Sequence, residues 1–387
     1  MTARPKIHGD CAPRFERVKE AFAELFADPS EVGGAVAIEL AGRIVVDLWA
    51  GSSDAARTRT WEHDTLVNVF STTKGMTALC AHRLVDRGQL DLDAPAARYW
   101  PEFARGGKAA IRVRELLNHS AGLPAIRRPL APKALFEWET LTDALGEQEP
   151  WWEPGTRHGY HALTFGWLVG ELVRRVSGKS VGRFFQDEIA GPLAADVHIG
   201  TGPELDQRVA EMIPAPPPKP GEMDLLLEIL RDPTSVAGRA FLNPLLLPDA
   251  VNTTEWRRAE VPAANGHASA RGLARVYGAV ASREGAAPRV LEPEGVRRAG
   301  QEERSGPDLI LFDQFVRYGP GFMLGTPDEP LGPNTGAFGH SGAGGSLAFA
   351  DPTAELGFAY VMNQMQTGRY LIGPRANALV KATYECF

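Results

Sequence analysis

Residues 68–76 read NVFSTTKGM, and within them Ser71 precedes Lys74 by three positions. On a helix, positions three apart share a face, so the two side chains would meet across one turn. A serine hydroxyl is a weak nucleophile until a base takes its proton. A lysine can be that base when burial disfavours its ammonium form and lowers its pKa. A helix start beside Ser71 would also favour negative charge developing on the oxygen. Only Lys74 among the lysines of the chain has a serine three residues before it, although an isolated S-x-x-K also arises by chance.

Two later stretches add groups of the right kind. GTRHGYHALTFGW places Tyr160 in a glycine-bounded loop ahead of a helix, where a phenol could project into a cleft. GAFGHSGAGGSLAFA puts His340, Ser341 and Gly342 at the start of a strand, with glycines that let a substrate approach the backbone closely. Plainer readings exist for each: a core tyrosine for Tyr160, and a residue that orders the strand edge for His340.

The order S-x-x-K, then Tyr, then a (K/H)-(S/T)-G strand resembles the class C β-lactamase and penicillin-binding-protein superfamily. LVDRGQLDLDAPAARYWPEF, LLNHSAGLP and ANGHASARGLARVY resemble it too, in particular its carboxylesterase branch, family VIII. The resemblance runs from about residue 10 to the C-terminus. It implies an α+β chain of the β-lactamase/transpeptidase-like fold, an antiparallel sheet flanked by helices plus a mostly helical domain. It also implies that Ser71 forms an acyl-enzyme, while Lys74 and Tyr160 relay its proton to the leaving group. The backbone N–H groups of Ser71 and Ala343, the latter following His340-Ser341-Gly342, would form an oxyanion hole. No metal or organic cofactor is implied.

Two departures bear on the substrate. The tyrosine motif of lactamases carries an asparagine two residues on, and here Ala162 stands there. Their strand motif begins with lysine, a permanent cation for the β-lactam carboxylate, and here it begins with His340, mostly neutral near pH 7 unless its surroundings shift it. Both changes favour a neutral ester over a charged amide. Serine ester hydrolysis is therefore the expected reaction. Acyl transfer through the same acyl-enzyme, weak β-lactamase or D-alanyl-D-alanine peptidase activity, and a non-catalytic binding protein of this fold are the alternatives. Trp152 and His161 are candidate pocket walls, against readings as packing residues.

The elements that must position these groups follow from periodicity. Phe15, Val18, Phe22, Leu25 and Phe26 predict an amphipathic helix as the first ordered element. GGAVAIEL and RIVVDLWAG predict two strands about an Ala41-Gly42 turn, and GGSLAFA and ELGFAYVMN two more about Asp351-Pro352-Thr353. Met76, Leu79, Cys80 and Leu84 form a helical stripe ended by Gly88, and TFGWLVGELVRRVSG and ASARGLARVYGAVA predict further helices. Strands at both ends with helices between predict an α/β domain from 1–88 and 270–387, a mainly helical domain over 89–269, and an active site between them. The Pro- and Leu-rich excursion 213–256 is the candidate lid or wall.

The bulk numbers exclude several classes. The 387 residues carry a formal charge of −7 and no long basic run, which disfavours nucleic-acid binding. No apolar run reaches membrane-spanning length, and the N-terminal stretch does not read as a secretory signal. Cys11, Cys80 and Cys386 are odd in number and far apart, which fits free thiols and a cytoplasmic location. A small-molecule ester is the expected partner, with neither membrane nor nucleic acid. GKSVG at 178–182 matches G-x-S-x-G, but Gly178 ends one predicted helix and Ser180 is placed to cap the next. His82 returns to the Ser71 face of the helix but lies roughly 16 Å along it, too far to serve as the serine's base.

Overall fold

The computed structural model describes residues 5–283 and 288–387. Its strands are β1 (His8–Cys11), β2 (Gly33–Leu40), β3 (Arg43–Gly51), β4 (Val67–Asn68), β5 (Val197–Ile199), β6 (Gly266–Ala268), β7 (Arg304–Pro307), β8 (Phe315–Tyr318), β9 (Met323–Leu324), β10 (Phe338–Ser341), β11 (Leu347–Asp351) and β12 (Leu356–Met362). Nine of them form one sheet in the order β1-β3-β2-β12-β11-β10-β9-β8-β7, antiparallel at every pairing. Both chain ends thus feed one sheet.

The central strand β12 is buried at all of its positions, which explains why LGFAYVM is a continuous apolar run rather than an alternation. The helix Ala270–Ala281 lies on β2, β11 and β12. Contact is so close that a Cβ on Gly357 would sit 2.2 Å from the Gly278 nitrogen. The helix Glu16–Leu25 packs with the C-terminal helix Pro374–Tyr384.

A second sheet, β4-β6-β5, carries the chain into the nucleophile region. Out of it runs the helix Thr73–Asp86, in which every residue from Thr73 to His82 is buried. A helix enclosed on all sides belongs to a molecular interior, and a single apolar stripe understates it. It packs against Thr164–Ser177, whose end at Gly178 is left-handed, with φ of 72°.

Two expectations need correction, and one element is new. The first ordered element is the strand β1, not the helix; its residues HGDC are mostly exposed on a sheet edge and carry no apolar period. His340 and Ser341 close β10 rather than begin a strand, and Gly342–Gly345 form the turn into β11. The small sheet was not anticipated, because strands of two or three residues are too short to show alternation.

The excursion 213–256 contains the short helices Leu225–Arg231 and Val236–Leu242. Ala237 and Ala240 of the second join an apolar cluster with Tyr160, Leu311 and Leu371, and Leu225 and Phe241 pack at its margin. Ser180 caps the helix Val181–Phe185 by accepting the Arg183 N–H, and its hydroxyl donates to Glu260 at 2.6 Å. Among the described residues no helix is long and apolar enough to cross a membrane, and the three cysteines are free thiols.

Candidate active site

Ser71 lies two residues before the first residue of its helix, in a tight turn where the Lys74 N–H donates to the Ser71 carbonyl at 2.9 Å. The preceding Phe70 has φ of 42°, a left-handed conformation costly for a bulky residue. It is held there because its carbonyl accepts from the Thr73 N–H at 2.9 Å and from the Thr73 hydroxyl, which in turn accepts the Gly266 N–H at 2.8 Å. The kink leaves Ser71 partly open while residues 72–82 are buried.

The Lys74 amine sits 3.0 Å from Ser71 Oγ, and donates to the Ala162 carbonyl at 2.7 Å and the Ala263 carbonyl at 3.0 Å. Complete burial drives its pKa well below the usual lysine value. A neutral amine has two hydrogens and one lone pair. The two carbonyls take the hydrogens, so the lone pair is left for the Ser71 hydroxyl proton.

Tyr160 packs its ring over that amine, 4.7 Å from ring centre to Nζ. Burial raises the phenol's pKa, the hydrogen bond with the Ser71 side chain pulls it partly back, and the nearby Asp308 charge raises it again. It therefore stays protonated near neutral pH. Asp308, fully buried, sets the loop. Its Oδ1 accepts the backbone N–H of Tyr160 at 3.0 Å, Ile310 at 2.8 Å and Leu311 at 2.9 Å, and its Oδ2 accepts the Tyr318 hydroxyl at 3.0 Å.

Three histidines surround the pair. His119 Nδ1 accepts the His161 N–H at 3.1 Å. His161 Nδ1 donates to the Gly159 carbonyl at 2.7 Å and its Nε2 accepts the Leu123 N–H at 3.1 Å. Both ring nitrogens of His161 are thus occupied and it is fully buried, so it orders the Tyr160 loop and does not wall an open pocket. Trp152 is part-exposed and meets the His161 ring edge-on, with centroids 6.3 Å apart. Burial pushes His161 and His340 down to about 3 and His119 well below its ordinary value.

The turn after β10 lies against the nucleophile loop. A Cβ on Gly342 would fall 2.2 Å from the Val69 carbonyl, so that position needs glycine. Ser346 ties the two together, its hydroxyl donating to the Val69 carbonyl at 2.9 Å and meeting the Thr72 hydroxyl at 3.1 Å. Gly342 N–H is spent on the Ser346 carbonyl. Among the described residues, the N–H groups of Ser71 and Ala343 have no partner in the protein. Ser341 directs its hydroxyl away, 3.7 Å from the Met323 sulfur. The structure thus brings Ser71, Lys74, Tyr160, His340, Gly342 and Ala343 around one spot. Sequence reasoning passed over Asp308, Ser346 and the carbonyls of Ala162 and Ala263. His119 stands in the quoted stretch LLNHSAGLP but no role was read for it.

A hydroxyl, an amine whose charged form burial disfavours, and a protonated phenol gathered together are the parts of a serine acyl-transfer type of site. The beta-lactamase family pattern matches residues 18–382, and the chain belongs to that family. It is 38% identical over 367 residues to the esterase/beta-lactamase LipL of Mycobacterium tuberculosis, covering 93% of this chain and 83% of that protein. Its fold is similar to the crystal structure of a family VIII carboxylesterase, with a TM-score of 0.90 and 42% identity over 99% of this chain and 100% of the other. A penicillin-binding protein homologue from Caulobacter crescentus is similar too, with a TM-score of 0.89 and 39% identity over 99% and 100% of the two chains.

Proposed function

We propose that the protein is a serine esterase that hydrolyses carboxylic esters through an acyl-enzyme on Ser71. The observation that carries this reading is the 3.0 Å approach of Lys74 Nζ to Ser71 Oγ, with both amine hydrogens committed elsewhere. Lys74 takes the serine proton as Oγ bonds to the ester carbonyl carbon. The carbonyl oxygen becomes an oxyanion facing the N–H groups of Ser71 and Ala343. As the C–O bond to the alcohol breaks, Tyr160 gives its proton to the departing alkoxide, and Lys74 returns a proton to Tyr160. Water then repeats the sequence on the acyl-enzyme, releasing the acid.

His340 supports an uncharged substrate. Held near 3, it supplies no cation for a substrate carboxylate at neutral pH. Nitrocefin turnover should therefore be slow beside that of the best ester. Three free thiols favour a cytoplasmic location. The experiment is Ser71→Ala assayed on p-nitrophenyl butyrate. Turnover should fall at least about 10⁴-fold, and intact mass should show an acyl adduct on the parent protein and none on the variant. Full turnover in folded Ser71→Ala would refute the reading.

A further inference from the structure

The side chain of His340 leaves one atom unexplained. Its Nδ1 lies 2.6 Å from the Ser341 carbonyl oxygen, which can only accept, so Nδ1 carries the hydrogen. Nε2 is then a bare lone pair. It is buried and has no hydrogen-bond partner among the described residues. Tyr160, whose ring centre is 6.0 Å away, makes no hydrogen bond to it. His340 and Ser341 also line a small cavity with Met323, Leu347 and Leu371, with room for about one small polar group. The remaining charged side chain of that cavity, Glu329, is an acceptor as well, its oxygens holding the N–H groups of Leu371 and Ile372.

A buried acceptor without a donor is a standing cost, which a ligand that brings the donor removes. We infer that His340 Nε2 is a specificity-determining group that receives a hydroxyl or N–H donor of the substrate, so the preferred ester is uncharged and carries such a donor near its scissile carbonyl. The inference rests on the esterase reading and deepens it. An anionic substituent would meet the Nε2 lone pair and the Glu329 carboxyl group there and is disfavoured. A methyl group in the donor's place would leave Nε2 orphaned in the complex.

The test compares esters that exchange a hydroxyl for a methyl. Methyl 3-hydroxybutyrate is set against methyl 3-methylbutyrate for the acyl side, and 2-hydroxyethyl butyrate against propyl butyrate for the alcohol side. In one of the two pairs kcat/KM should favour the hydroxyl compound by about 10- to 100-fold. In His340→Phe, which keeps the ring and loses the acceptor, that ratio should fall to within about twofold. Each ratio is internal to one enzyme, so partial misfolding of the variant does not obscure it, and the wild-type ratio alone can decide. No preference in either pair overturns the inference while leaving the esterase reading intact. Equal loss on all four esters in His340→Phe, with the ratio kept, also overturns it and makes His340 a positioning residue for Tyr160. Failure to hydrolyse any of the four esters or p-nitrophenyl butyrate would instead count against the esterase reading.

Discussion

Two helical regions meet Tyr160 on opposite terms. The helix Thr73–Asp86 is buried from Thr73 to His82 and reaches the phenol from below through Lys74. The excursion reaches it through Ala237 and Ala240, yet its first helix leaves Leu226 56% and Leu230 51% exposed. One region is fixed on every side and the other is packed on one side only. The Lys74 amine, 3.0 Å from Ser71 Oγ, sits in the first. The second leaves large apolar side chains in water on one side, so few apolar contacts there resist local opening. The contrast is between a helix enclosed on all sides and a segment held on one side.

The strongest way to break this contrast is Lys74→Met, which keeps the bulk and removes the amine. Ester turnover should drop about 10³- to 10⁴-fold on p-nitrophenyl butyrate. A variant with near-normal turnover would show that the buried helix does no chemistry. Asp308→Ala comes next. It frees the N–H groups of Tyr160, Ile310 and Leu311 together, so chemical denaturation should show a loss of about 2–4 kcal/mol. Turnover should fall about 10- to 100-fold as the Tyr160 loop loses its anchor.

Acidification sharpens the contrast further. His82 and His267 are held by burial near 4, His161 and His340 near 3, and His119 well below its ordinary value. The unfolded chain protonates these groups below about pH 6.5 while the native state does not. Unfolding therefore gains protons, and each group removes about 1.4 kcal/mol per pH unit as pH falls through that window. Glu31 and Glu39, raised by burial to about 7, act in the opposite sense between 4.5 and 7 but are fewer. Lys74, lowered by burial, acts in the same sense as the histidines, its contribution declining as pH falls below 10.5. Denaturation midpoints should fall from pH 7.5 to pH 5, and a flat profile would contradict the buried neutral histidines. The smallest effect belongs to the excursion. Leu230→Ser should change stability by no more than about 0.5 kcal/mol, against about 2–5 kcal/mol for Leu79→Ala in the buried helix. Equal costs would erase the distinction between the two regions.

How far the molecule was legible in its sequence follows the same division. Long strands with alternating or continuous apolar runs, such as GGAVAIEL and LGFAYVM, declare themselves, as do Gly178 as a helix stop and Ser180 as a cap. The S-x-x-K spacing declared that Ser71 and Lys74 meet, because its meaning lies in residue type and interval. HGDC hid its strand because an edge exposes both faces to water. Asp308 was invisible because a lone aspartate in a loop looks the same whether it gathers three N–H groups or faces solvent. His161 beside Tyr160 was left between a pocket wall and a packing residue, since sequence does not reveal that two backbone groups claim both of its nitrogens.

The groups that aim the Lys74 lone pair belong to the main chain, at Ala162 and Ala263, 88 and 189 residues further on. Their side chains are not part of the device. The direction of the proton's path is thus written in the course of the polypeptide, and relatives can change the letters at those two places while the base keeps its bearing.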